Sequence, residues 1–113
     1  MLPKKRRIER LEFPAILKEG KRYNSDNLLL YSVKTGTDKL SKFSFSVSKK
    51  VCSKAVDRNK YRRRGYSVIT RYIKNIQPGY FCFFSFKKGS NITTFKTLEE
   101  QITHLLHKAL VLI

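Results

Sequence analysis

With 113 residues, 41% of them hydrophobic, the chain has room for one domain (1–113) and one compact core. Its net charge of +17, from 25 Lys and Arg against eight Asp and Glu, points to a polyanionic partner, nucleic acid ahead of an anionic membrane surface. No apolar run approaches the roughly 18 residues of a membrane span, and eight acids leave little for metal-ion catalysis.

The N-terminal "MLPKKRRIERLEF" is basic and is not followed by an apolar segment of signal-peptide type, so a cytoplasmic location is expected, with residues 1–10 as a basic and flexible arm. In "LEFPAILKEG", Pro14 suits a first helical turn, Phe13, Ile16 and Leu17 share one side, and Gly20 supplies a stop. "NLLLYSVK" reads as a strand with Leu28 and Leu30 on one face and Leu29, Tyr31 and Val33 on the other. The turn-like "TGTD" then predicts a hairpin partner in "KLSKFSFSVS", as one long strand or two short ones, with Phe43, Phe45 and Val47 facing inward and Ser44, Ser46 and Ser48 wet or facing a ligand.

From 49 to 64 the chain reads "KKVCSKAVDRNKYRRR", eight cations and one acid, and runs directly into "GYSVITRYIKNI". Val68, Ile69, Tyr72 and Ile73 continue at helical spacing, with Tyr61 on the same arc, so the charges belong to a packed helix rather than a disordered tail. Arg58, Asn59, Arg62, Arg63 and Tyr66 share its flank. Like charges at i,i+4, such as Arg58 and Arg62, cost a helix roughly 0.2–0.5 kcal/mol per pair, and only Asp57 is at hand to offset them. The compensating charge is therefore expected from outside the chain.

"PGYFCFFSF" is apolar on both faces, as a central strand covered on each side would be. The last helix opens with Thr97 and Glu100 at capping-box spacing and carries Leu98, Ile102, Leu105, Leu106, Ala109 and Leu110 on its core stripe. Glu100, His104 and His107 fall opposite that stripe and read as a solvated face rather than a metal site. Cys52 and Cys82 stand alone without metal-ligand spacing, which predicts free, buried or half-buried thiols. There is no glycine-rich phosphate loop, no Ser or Cys nucleophile beside a His base and no patterned carboxylate pair, so no catalytic residue is assigned. What the chain offers is cations for phosphates and planar side chains on which unpaired bases stack, Phe13 and Tyr31 being candidates that pattern alone leaves equally open to a core role.

"FSVSKKVCSKAVDRNKYRRR" resembles the signature of the bacterial ribonuclease P protein component, a strand ending in S-x-K-K, a short link, and A-V-x-R-N-R-x-K-R opening a helix. Ser46, Ser48, Lys49 and Lys50 match the strand end, Ala55, Val56, Arg58 and Asn59 the helix start, and Arg62 and Arg63 the following basic positions. Lys60 replaces the second Arg of the motif, losing the bidentate fork, and Tyr66 stands where the family usually has another Arg, so that one phosphate contact is either missing there or replaced by stacking. Gly65 marks close approach of RNA or of another element.

The resemblance implies an α+β fold, a two-layer αβββαβα sandwich similar to a domain of ribosomal proteins, with a left-handed strand–helix–strand crossover. It further implies a subunit of an endoribonuclease ribonucleoprotein that removes the 5′ leader of precursor tRNA, with catalysis and magnesium belonging to the RNA subunit and no metal site in the protein. Lys54, Arg58, Asn59, Lys60, Arg62, Arg63 and Tyr66 would bind the catalytic RNA. Phe13, Leu17, Tyr31, Ser46, Lys49 and Lys50 would hold the leader in a cleft between first helix and sheet. Neither a membrane nor a protein partner is required; the rival reading is a ribosomal-type RNA-binding protein without the cleft.

Overall fold

The structure, a computed structural model, describes residues 2–35, 40–88 and 94–112. Its elements are α1 (Phe13–Glu19), β1 (Lys21–Asn24), β2 (Leu28–Lys34), β3 (Lys42–Ser46), α2 (Ala55–Tyr72), β4 (Tyr80–Phe86) and α3 (Phe95–Lys108). This is the expected αβββαβα order, but the three early strands are distributed differently. Lys21–Asn24 is a strand that periodicity does not flag, and residues 40–48 supply a single strand.

The sheet order is β1-β2-β4-β3, antiparallel except for the parallel pair β3/β4. The expected hairpin between β2 and β3 is therefore absent: β2 lies between β1 and β4, and β3 reaches the sheet only through β4. Of the "TGTD" turn, Thr35 bonds the Gly79 carbonyl through its N–H at 2.7 Å, and the remainder lies outside the described residues. β4 is central as expected.

One face of the sheet carries Leu28, Leu30, Phe43, Phe45, Cys82, Phe84 and Phe86, all buried. Phe45 and Phe84, directly opposite across the parallel pair, stack at 4.8 Å with 6° between ring planes. Over this face lie α2, through Tyr61, Val68 and Ile69, and α3, through Leu98, Ile102, Leu105 and Leu106. Burial pushes the Cys82 thiol up to about 12, opposed by a hydrogen bond from Ser32. Both cysteines are free and buried.

α3 starts a turn earlier than its capping-box spacing suggests. Thr94 is the N-cap, its hydroxyl accepting from the Thr97 N–H at 3.2 Å. At the other end Leu110 takes a left-handed φ of 64° and is 69% exposed, so it leaves the core stripe to which its spacing assigns it. The reversal instead returns Val111 to the core, its N–H bonding the Leu106 carbonyl at 2.9 Å.

The close approach at Gly65 is to another element of the chain. A Cβ there would lie 2.5 Å from the Phe45 ring, which Phe84 backs on its other side. Gly65→Ala thus sets a helix-propensity gain of about 1 kcal/mol against an overpacking cost of roughly 1–3 kcal/mol, and the ring has nowhere to retreat. We expect a net loss of about 1 kcal/mol by urea denaturation; a variant as stable as the parent would mean that the Phe45 stack yields freely.

Candidate nucleic-acid interface

Among the described residues the second face of the sheet is covered by α1, with Glu12 just before it reaching Lys42. Residues directly opposite on neighbouring strands point to the same side, so the register aligns Arg22, Tyr31, Phe83 and Ser44 in one row across all four strands. Phe13 meets Phe83 edge-on at 5.2 Å, and Tyr31 stacks on Phe83 at 5.8 Å and 24°. All three rings are half-buried. The Arg22 guanidinium lies 5.8 Å from the Tyr31 ring centre, and Lys42 Nζ lies 5.6 Å from that of Phe81 while pairing with Glu12 at 3.2 Å. α1 can sit this close because Gly20 has no side chain: a Cβ there would press on the Ile16 carbonyl and touch Tyr31 and Val33. Leu17 remains 47% exposed at the rim. The hydroxyls of Ser44 and Ser46 are half-buried and make no hydrogen bond within the described residues. The result is an aromatic floor with cations at its margins, the inventory that binds single-stranded nucleic acid by stacking and phosphate neutralisation.

Beyond Ser46 the chain turns tightly, the Ser48 carbonyl accepting from the Val51 and Cys52 N–H groups, each at 3.1 Å. Lys49, Lys50 and Lys54 are exposed around the start of α2. Three cations at the positive end of a helix dipole are mutually unfavourable and favour an anion there; Asp57 is the one acid in the first turn. Burial raises the Cys52 thiol pKa, Asp57 adding to the shift and Arg58 opposing it. Arg58 is half-buried and donates through one nitrogen to the carbonyls of Cys52 at 2.9 Å and Ser53 at 2.8 Å. Arg62 is held by the Asn59 side-chain oxygen. Lys60 and Arg63 are exposed, and Arg64 lies over the Tyr61 ring at 5.4 Å.

A family model described as Ribonuclease P matches residues 2–110. The chain belongs to the ribonuclease P protein family. It is 31% identical over 112 residues to the ribonuclease P protein component of Microcystis aeruginosa, covering 96% of this chain and 93% of that one. Against the component of Clostridioides difficile the identity is 34% over 98 residues, covering 86% and 84%. The fold matches the Thermotoga maritima RNase P protein with a TM-score of 0.81 at 27% identity, covering 90% of this chain and 96% of that one. It matches the Staphylococcus aureus RNase P protein with a TM-score of 0.86 at 22% identity, covering 96% and 98%.

In this ribonuclease P family member the structure brings Phe13, Leu17 and Tyr31 together on the open face, with Ser46 on the same side of β3 and Lys49 and Lys50 just beyond its end. Phe83, Phe81, Arg22 and Lys42 join them although sequence reading missed all four. The alternation of β4 carries a signal for the two Phe residues, since Phe81 and Phe83 occupy the phase opposite to Cys82 and Phe84. Tyr66 is the correction on the helix: it is 9% exposed and its ring meets Phe45 edge-on at 5.1 Å, so it packs against the core and offers no free stacking face. Glu100, His104 and His107 are exposed, and among the described residues no three His, Cys, Asp or Glu side chains converge as metal ligands. No helix there is long and apolar enough to cross a membrane.

The cations of α2 thus differ in role. Because Arg58 also closes the preceding loop, Arg58→Ala is expected to lower stability by about 1 kcal/mol, the loss of charged hydrogen bonds discounted for partial exposure. Arg63→Ala should stay within about 0.5 kcal/mol. Equal denaturation midpoints for the two variants would remove the loop-closing role.

Proposed function

We propose that the chain is the protein subunit of the ribonuclease P ribonucleoprotein, acting in the cytoplasm, and that it assists endonucleolytic removal of the 5′ leader from precursor tRNA. What supports this reading is the nearness of two surfaces: Ser46 ends β3 on the side of the open aromatic face, and Lys49 and Lys50, which follow it, line one pocket with Asp57 and Tyr61 of the cationic α2. One strand of RNA can lie on the first while structured RNA packs on the second. A ribosomal-type RNA-binding protein would have use for the helix but none for the platform.

In this reading Lys54, Asn59, Lys60, Arg62 and Arg63, with the outer nitrogens of Arg58, bind phosphates of the catalytic RNA. Leader bases stack on Phe13, Tyr31 and Phe83, with Leu17 closing the apolar rim. Arg22, Lys49 and Lys50 neutralise leader phosphates, and the free hydroxyls of Ser44 and Ser46 accept or donate at base or sugar edges. The protein holds the substrate; hydrolysis, with magnesium to activate water, belongs to the RNA, and no protein partner is needed. Reconstitution with a bacterial ribonuclease P RNA at low magnesium should stimulate precursor cleavage, while purified chain alone should cleave nothing. Absence of stimulation would overturn the reading.

The half-buried state of the platform rings sets a mixed expectation. Phe13→Ala should cost less than the roughly 3–5 kcal/mol of a fully buried Phe, and should weaken precursor tRNA binding by the holoenzyme by about 1–3 kcal/mol per unstacked base. Tyr31→Ala should behave alike, and mature tRNA, which lacks the leader, should bind both variants as it binds the parent. Equal losses for the two substrates would assign these rings to packing alone.

The helix is tested separately through salt. Arg62→Ala and Arg63→Ala should each shallow the log–log salt dependence of RNA-subunit binding by about 0.7–0.9, one phosphate contact. Unchanged affinity and slope in both variants would remove this flank from the RNA interface.

A further inference from the structure

The N-terminal arm is docked rather than free. Leu2 and Ile8 are buried, Arg7 forms a parallel bridge with Phe43, and the Ile8 N–H bonds the Phe43 carbonyl at 3.1 Å, so the arm extends the sheet edge beyond β3. This brings Lys4, Arg7 and Arg10 to Tyr66 of α2 around a pocket of about 460 Å³. The docking sets the arm's cations beside a cationic helix, and Glu9 is the one carboxylate lining the same pocket against Lys4, Arg7 and Arg10.

Arg7 bears most of the cost. Its guanidinium is half-buried, its Nε is fully buried, and the side chain makes no hydrogen bond or ion pair among the described residues. Neither carboxylate of this segment pairs with Arg7: Glu9 accepts from the Glu12 N–H, and Glu12 accepts from the Glu9 N–H and from Lys42. A buried guanidinium N–H without a partner is unfavourable, and the planar fork that still reaches the pocket suits phosphate.

We propose that the pocket between arm and α2 binds a backbone phosphate of the RNA subunit, and that the phosphate strengthens docking of the arm. RNA is favoured over a free anion because Tyr66 lies one helical turn beyond Arg62 and Arg63. A strand whose phosphates follow that flank reaches the arm next. The RNA assignment rests on the function proposed above; the phosphate site does not.

The Ile8 amide reports docking directly. In the full-length protein without RNA, inorganic phosphate at ten times its dissociation constant should slow Ile8 hydrogen exchange about elevenfold by mass action. The Ala109 amide, bonded to the Leu105 carbonyl in α3, should be unaffected. Arg7→Gln should abolish the Ile8 effect while leaving Ala109 protection intact, which certifies the fold. With ribonuclease P RNA, Arg7→Gln should shallow the log–log salt dependence of binding by about 0.7–0.9, one phosphate contact. No slowing at Ile8, the same slowing in Arg7→Gln, or equal slowing at Ala109 would overturn the site. Slowing at Ile8 with an unchanged RNA salt slope would overturn its assignment to RNA.

Discussion

The placement of every cation on α2 depends on how closely that helix lies against β3, and Gly65 sets the distance. Because nothing projects from Gly65, the Phe45 ring fits directly beneath the helix, held from below by Phe84 and flanked by Tyr66. Tyr61 and Ile69 are then drawn into the same layer. Apolar burial contributes about 25 cal/mol for each Å² removed from water, and this aromatic layer is extensive enough to carry several unfavourable like-charge pairs of a few tenths of a kcal/mol each. A helix with eight cations in or just before its first ten residues stays folded because its other side is committed.

The same layering makes the sheet asymmetric. α2 and α3 share one face, and the other is left to the seven residues of α1. One short helix cannot cover four strands, so Phe81, Phe83 and Tyr31 keep part of their surface in water at a cost in stability that a purely structural protein would have no reason to bear. The start of α1 is tied to the sheet by the Phe13 contact with Phe83, and its far end is let down by Gly20.

Elements with strong periodicity were legible in the sequence: the Leu28 and Leu30 phase of β2, the Phe43 and Phe45 phase of β3, the buried arc of α2 and most of α3. What failed has physical causes. Lys21–Asn24 is an edge strand exposed on both sides except at Tyr23, so it carries no alternation to read. The pairing of β3 with β4 in place of β2 is a long-range choice that side-chain period does not encode. Leu110 keeps helical spacing, yet the chain reverses there. At the site, Phe13, Tyr31 and the lysines after β3 were found by motif and chemistry together, whereas Phe83 was hidden because an apolar residue looks the same in sequence whether its face is covered or left open. Tyr66 was misread for the opposite reason, since its position on the charged flank says nothing of the Phe45 ring beneath it.

Phe83 ties these strands together. It stands on β4, which like β2 is an inner strand paired on both edges. Phe13 reaches it from the helix side and Tyr31 from the neighbouring strand, so both outer rings are oriented by a residue whose strand is paired on both sides. A stacking surface built this way loses little conformational entropy when a base settles on it, because the rings are already fixed. Loop-borne aromatics would have to be ordered at the moment of binding. On the function proposed above, such a floor would supply affinity without reading sequence, since every base presents a face on which to stack, and discrimination among bases would fall to the hydroxyls of Ser44 and Ser46 beside it.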